Sequence, residues 1–462
     1  MRANISPPTS AHHLPLAPRL NPLFLPFRMS STVPTHLDLS HLGEPVYRGS
    51  VQNLHAIPDH PGFVACETTE AGSVFDVGSI FKIEGNDLNR AIFRHAMYSR
   101  LAQPETWKRV KAAIEASPIS AELREELLTG PFERMLEHGA VTHHIGMVDA
   151  SSGAIVREGM PEHPSCFNVV RRFPVMHPPQ RKLLGTFVFD YAQFHQSTSY
   201  VVPLEYIVRF GVTSGSSIFK KYQSLGEAAK RAYEQEMGLT KPMKVWEMLE
   251  RPVYDLTSKY EPEDRAVSKQ EALMMSGLSS QDFLDTIKMA ILGGWAVREL
   301  LETAGLLLWD LKWEFAVDGE DLLFVDTIDA DSFRGTSFLD VDGRKLVIHF
   351  NKQAMRDYYR LAHPEWFAGI NDAKQVAQKS GQPFKQVLRE GQAAGKWPAT
   401  PVVDPIFLDL QARKTALIRE HVQAARPAAA IKADLQAAGE AEVDFYRSKG
   451  LLPALLDMNA VA

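Results

Sequence analysis

A chain of 462 residues, 45% hydrophobic and 23% charged, has the make-up of a globular protein with a large core. At about 100–200 residues per domain it holds two to four compact units. Its 50 basic and 56 acidic residues, net −6, exclude the general basic surface of a nucleic-acid binder; Cys66 and Cys166 lie too far apart for a metal motif or disulfide framework, and no apolar run reaches the roughly 18–20 residues of a membrane span.

Met1 to about Pro45 is rich in Pro, Ser and His and keeps no sustained period. Its apolar Leu23–Phe27 stretch is too short and Pro-broken for a secretory segment. Residues 1–45 are expected to form a disordered or targeting-like extension, with Met29 a candidate start and little order before Val46. Val46 to Leu88 reads as short strands and turns, with a turn at Pro58–Gly62 and a strand at Phe63–Glu67. Asn89–Leu101 and Glu105–His138 read as helical, the second interrupted at Pro118 and Pro131. Val201–Phe210 is a β-branched run leading into the small-residue loop Thr213–Ser217. In Ser280–Ala304, Phe283, Ile287, Ile291 and Leu300 recur near a 3.6-residue period, with Ser280 as cap and Gly305 as stop. Leu306–Val317 and Leu322–Thr327 read as two strands joined across Asp318-Gly319, and Lys345–Phe350 as another. From Lys352 the pattern is helical to the end, broken between Trp397 and Pro405. Strands, helices, a hairpin and helices again make an α+β order. Neither G-x-G-x-x-G nor a Walker A sequence is present.

The densest ionisable cluster on an apolar background is Trp309-Asp310-Leu311-Lys312-Trp313-Glu314-Phe315. Strand alternation puts Asp310, Lys312 and Glu314 on one face, and Trp309, Leu311, Trp313 and Phe315 on the other. Asp326 falls roughly opposite Glu314 across the hairpin, on a face that one residue of slip would reverse. Two facing carboxylates repel unless a positive group lies between them, and magnesium, with its preference for hard oxygens, suits that place. The same pattern also describes a Lys–acid ladder on a solvated sheet. Three further clusters are weaker. Asp326 to Gly335 reads either as an Asx-type turn or as a site where Arg334 grips a phosphate. Arg209 with Ser216 and Ser217 reads as a phosphate cradle or a plain turn. Lys259–Arg265 alone reads as a surface loop.

Taken in order, these clusters resemble the SAICAR synthetase (phosphoribosylaminoimidazole-succinocarboxamide synthase) family. The likeness rests on Tyr47-Arg48-Gly49-Ser50-Val51, Ser73-Val74-Phe75-Asp76-Val77, Pro203-Leu204-Glu205 through Arg209, Thr257–Glu261, Gly305 through Phe315, and Asp331-Ser332-Phe333-Arg334, spanning about Val46 to Arg360. The resemblance implies an α+β, two-lobed SAICAR synthase-like fold with an ATP cleft, plus a C-terminal helical extension. It divides the chain into residues 46–140, an N-terminal α+β lobe; 141–365, a larger lobe with the hairpin; and 366–462, the extension. It implies a cytoplasmic ligase of purine biosynthesis that uses ATP and Mg2+ to phosphorylate a ribotide carboxylate, then forms an amide with aspartate. Its partners are small molecules, with no nucleic acid and no membrane; homo-oligomerisation stays open. Glu314 and Asp326 are then expected to hold the metal. Lys312, Asp310 and Asp76 are expected at the reacting groups. Arg209, Ser216, Ser217, Asp331, Arg334 and Lys259 are expected on the substrate, and Arg48, Gly49, Ser50 and Gln52 over the nucleotide.

The chain departs from the family pattern at Ser50 and Gln52, where lysines are usual, at Glu84 before Gly85, and at Thr327, where a second acid is usual. These differences keep open a paralogue with other substrates and a catalytically silent nucleotide- or ribotide-binding relative; a small-molecule kinase of the inositol type is a further alternative, because related folds transfer phosphate to such hydroxyls.

Overall fold

The computed structural model describes residues 32–261 and 264–461. Residues 1–31 of the expected extension, with Met29, lie outside the described residues. Residues 32–45 depart from the expectation of little order. Leu37 is buried and donates its N–H to the Gly153 carbonyl at 2.8 Å, and Val33, Leu39 and Leu42 pack around Ile57, Phe63 and Val169. Four spaced apolar side chains suffice to dock a segment whose composition is otherwise polar.

The first part of the chain runs β1 (Tyr47–Arg48), β2 (Gln52–Ala56), β3 (Phe63–Thr68), β4 (Ala71–Ser73) and β5 (Ser79–Lys82). There follow α1 (Asn86–Leu101), α2 (Pro104–Ala116), α3 (Ala121–Leu127), α4 (Pro131–His138), β6 (His144–Asp149), β7 (Ile155–Val156) and β8 (Pro164–Arg171). Six of these strands make an antiparallel sheet in the order β1-β2-β3-β8-β6-β7. Pro118 and Pro131 mark the breaks between helices as expected. The sequence reading assigned nothing between Val141 and Tyr200, yet β8 and β6 lie inside the sheet. Their His, Gly and Asn residues dilute the alternation that reveals a strand. A separate hairpin follows, β9 (Gln180–Leu183) with β10 (Thr186–Phe189).

The second sheet carries the hairpin. It contains β11 (Ser199–Val201), β12 (Leu204–Gly211), β13 (Met248–Ser258), β14 (Ala266–Val267), β15 (Leu307–Asp318), β16 (Asp321–Val325), β17 (Phe333–Val341) and β18 (Arg344–His349). Its path is β14-β13-β12-β15-β17-β18, with β11 and β16 also paired to β15. Between these strands run α5 (Ser217–Ser224), α6 (Glu227–Glu236), α7 (Lys269–Ser276) and α8 (Ser280–Thr303). The cap of α8 is Ser279, one residue before the expected Ser280, and its side chain accepts the Asp282 N–H. Helix α8 lies tightly on β12 and β15. A Cβ at Gly293 would sit 2.8 Å from the Phe324 ring, and one at Gly294 3.1 Å from Phe210.

One expected face assignment is corrected. The β15–β17 register shifts between Leu308 and Asp310. Such a bulge turns one side chain over. Trp309 therefore packs with Trp246 and Val347, whereas Leu308, Leu311, Trp313 and Phe315 enter the main core.

The rest is helical: α9 (Gln353–Ala362), α10 (Pro364–Ser380), α11 (Phe384–Ala393), α12 (Pro405–Val422), α13 (Ala428–Ser448) and α14 (Leu452–Asn459). These helices join the main core through Trp366, Phe407, Leu435 and Tyr446. A buried polar link reinforces the join: Lys414 Nζ donates to the His349 carbonyl at 2.8 Å and to Glu442 at 2.5 Å.

Burial pushes the His349 imidazole down from 6.5 to about 3. An unfolded histidine binds a proton below about 6.5 and the buried one does not until about 3, so stability falls as pH drops through that window, by about 1.4 kcal/mol per unit. His349→Phe is expected to shallow the acid slope of urea-unfolding stability between about pH 6.5 and 5 by roughly one proton. An unchanged slope would contradict this assignment.

Candidate active site

Lys312 and Glu314 emerge from the middle of β15 next to two neighbours brought by β12 and β13. Lys312 Nζ lies 2.7 Å from Glu205 and 2.8 Å from Glu314. Lys259, just past β13, makes a second ion pair with Glu314. Thr257 donates to Glu205 at 2.9 Å. Glu314 pairs across the hairpin with Val325. Asp326 thus comes one residue beyond the paired position, in the left-handed region at φ 65°. That turn brings its carboxyl against Glu314, with Lys312 Nζ 3.6 Å away.

The electrostatics follow from burial. Glu314 is 2% exposed. Its carboxyl is pushed up to about 7 by burial first and by Asp326 beside it. Burial acts upward on Asp326 as well, but Lys259 and Lys312 outweigh it and hold that carboxyl below its ordinary range. Burial would lower Lys312, yet Glu314, Asp326 and Glu205 keep its ammonium well above the usual value. Lys312 is therefore a fixed positive charge and not a base.

Asp310 belongs to a second node, with different partners from Lys312. It accepts from Arg209 at 3.1 Å and lies 3.4 Å from Arg334. Arg209 is buried and also donates to Asp255 and, at 2.9 Å, to the Ser217 hydroxyl at the start of α5. Arg334, on β17, donates to Thr213 and faces Gly215 in the same loop. Ser216 is buried with its hydroxyl unpartnered among the described residues.

A third node was missed in the sequence. Lys352, Arg356 and Arg360 stand at four-residue spacing, which places them on one helical face along α9. Burial first, then Arg334 and Arg360, lower the Arg356 guanidinium. Burial and the nearby Arg356 likewise lower Lys352, with Asp331 acting against them. Mutually repelling, partly desolvated cations make a place for an anion. The regular spacing was the available signal. Glu205 stands in the Pro203–Arg209 motif but was given no role, because only strand pairing sets it beside Lys312.

Other expected residues lie further out. Asp331 pairs with Arg90 at 3.1 Å, next to the buried Asp329, which binds Arg90 and Arg94. Asp76 follows Phe75 in a left-handed turn and pairs with Lys374 of α10 at 2.6 Å, at the rim and not beside Lys312. Arg48 is exposed and pairs with Glu44. Gly49 donates to the Gln52 carbonyl at 2.8 Å, too close for a Cβ. The Ser50 carbonyl accepts from Ser79. Gln52 accepts from Arg94 at 3.0 Å, which links the β1–β2 turn to Asp329.

As a place for a divalent cation, the Glu314–Asp326 pair has suitable chemistry. It offers hard carboxylate oxygens in mutual contact, and magnesium commonly takes one or two carboxylates plus phosphate oxygens. Among the described residues no group of three or more His, Cys, Asp or Glu forms a metal cage.

A family model described as SAICAR synthetase matches residues 171–371. A provisionally named phosphoribosylaminoimidazole-succinocarboxamide synthase of Archaeoglobus fulgidus is 30% identical over 245 residues, 53% of this chain and 66% of that protein. The enzyme of that name from Thermoplasma volcanium is 30% identical over 191 residues, 40% of this chain and 60% of that protein. The chain thus spans just under two thirds of these relatives. A SAICAR synthase from Saccharomyces cerevisiae, complexed with SAICAR, superposes with TM-score 0.46 at 15% identity, over 85% of this chain and 98% of that chain.

Proposed function

We propose that the chain is a member of the SAICAR synthetase family, whose model matches residues 171–371 and whose named relatives are 30% identical to it, and that it is an ATP- and Mg-dependent ligase that joins a heteroaromatic ribotide carboxylate to the amine of aspartate. The observation that carries this reading is the ledge of buried Glu314 and half-buried Asp326 with two lysines held against it.

In this reading Glu314 and Asp326 would hold magnesium, which would supply neutralisation of the phosphate charge. Lys312, permanently protonated, orients that carboxylate and offsets charge as phosphate is transferred to it. Glu205 and Glu314 fix its position. The acyl phosphate is then open to the amine, phosphate leaves and an amide remains. No protein nucleophile is needed; positioning and electrostatics suffice. Arg334 with the Thr213–Ser217 loop receives the ribotide phosphate. Arg209 and Asp310 brace that end, since their polar atoms already engage one another. Lys352 and Arg356 add positive charge for a further carboxylate. The β1–β2 turn covers the nucleotide.

The test is incubation of the protein with Mg-ATP, carboxylated aminoimidazole ribotide and aspartate. An aspartate-derived amide, with ADP and phosphate in equal amounts, is expected. Nucleotide binding without that product would overturn the ligase reading, and phosphate transfer to an alcohol would point to a kinase.

A further inference from the structure

Asp326 has an unusual backbone: a non-glycine residue at φ 65° directly after a strand. This geometry disfavours L residues, although Asp tolerates it better than most. Something must hold it, because a return to extended backbone would carry the carboxyl away from Glu314. The holding group comes from α1. The single Tyr98 O–H is shared between the Asp326 carbonyl at 2.8 Å and the Val325 carbonyl at 3.0 Å. It therefore grips the chain on both sides of the turn.

Tyr98 is itself locked. It is 2% exposed, and its ring lies against His143 at 5.1 Å and stacks on His144 at 5.6 Å and 13°. The His143 N–H donates to the Phe324 carbonyl at 3.0 Å, tying the same strand end from a second side. His144 Nε2 meets His95 Nδ1 at 2.8 Å, and His95 Nε2 meets the Gly159 carbonyl at 2.7 Å. Since a carbonyl only accepts, His95 carries its proton on Nε2, and His144 donates from its own Nε2. Burial lowers all three imidazoles, so they stay neutral and form a rigid backing to the Tyr98 ring.

We infer that Tyr98 is a positioning residue whose hydroxyl holds Asp326 in its left-handed conformation and so aims the second carboxylate at the cation. The inference rests on the metal-holding role proposed for Glu314 and Asp326. It predicts an effect on cation affinity greater than that on overall stability.

The experiment titrates Mn2+ into the full chain with ADP and reads free Mn2+ by electron paramagnetic resonance. Tyr98→Phe keeps the ring and removes the hydroxyl, and is expected to weaken Mn2+ binding roughly tenfold, the scale seen for groups that orient metal ligands. His144→Phe disturbs the same packing without touching Asp326, and is expected to stay within about twofold. Wild-type affinity in Tyr98→Phe, or equal weakening in both variants, would overturn the inference. Glu314→Gln separates the two readings. If it loses Mn2+ while Tyr98→Phe does not, positioning alone fails; if it too binds normally, the metal reading fails and takes the inference with it.

Discussion

Glu314→Gln is expected to lose amide formation roughly 10³-fold, about 4 kcal/mol of transition-state stabilisation, while keeping its fold. Glu314 sits at the floor of the ledge, in contact with Lys312, Lys259 and Asp326. Glutamine matches its volume and still accepts from both ammoniums, so packing is preserved. What disappears is one of the two negative charges that would hold the cation in the proposed reading. Lys312 keeps Glu205 and Asp326 as partners, which limits the structural cost. A single-turnover assay with Mg-ATP, run beside near-ultraviolet circular dichroism and thermal unfolding, measures both sides. Turnover within about tenfold of wild type would remove Glu314 from the metal assignment.

The second large effect concerns stability. Asp329 is fully buried and lies 2.7 Å from Arg94 Nη2 and 3.1 Å from Arg90 Nη2. It also accepts the Asp331 N–H at 2.8 Å. Burial would raise its carboxyl, but Arg90 and Arg94 hold it at about 2. Asp329→Asn leaves the interior Arg94 guanidinium without its counter-charge and Arg90 with only Asp331, and breaking such an arrangement costs about 3–5 kcal/mol. Urea unfolding reads that cost. Removing Arg94 as well, in Asp329→Asn/Arg94→Met, is expected to recover part of it, because one unpaired charge goes with it. Strictly additive losses would mean that the arginines do not depend on Asp329. The prediction also bears on the site, since Asp329 ties α1 to the turn between Asp326 and Arg334.

The legible parts of the molecule were those with strong local periodicity. The α8 helix announced itself by spacing and capping, and its structural cap lies one residue away from the expected one. The hairpin around Asp318-Gly319 was readable because a turn residue pair interrupts two apolar runs. The β6 and β8 strands were not readable, since polar residues interrupt their alternation. Trp309 was assigned to the wrong face because a bulge is a property of strand pairing. The same limit explains why Glu205, though part of a quoted motif, and Tyr98 were assigned no role: neither lies near Lys312 or Asp326 in sequence.

The order of acid, lysine and acid along β15, the Arg209 loop, and Arg334 shortly after Asp326 are local facts. The chain determined by itself that Asp310, Lys312 and Glu314 share one face of a strand and that Asp326 ends the hairpin's second strand, because alternation and turn residues act over a few positions. The tertiary structure decided which groups meet. It set Lys259 and Glu205 against the ledge, drew Arg209 into Asp255 and Asp310, turned Asp76 out to Lys374, and brought α9 with its cations to Arg334. Charges separated by tens or hundreds of residues are desolvated and paired only when sheets and helices pack, and that packing energy is spread over the whole core.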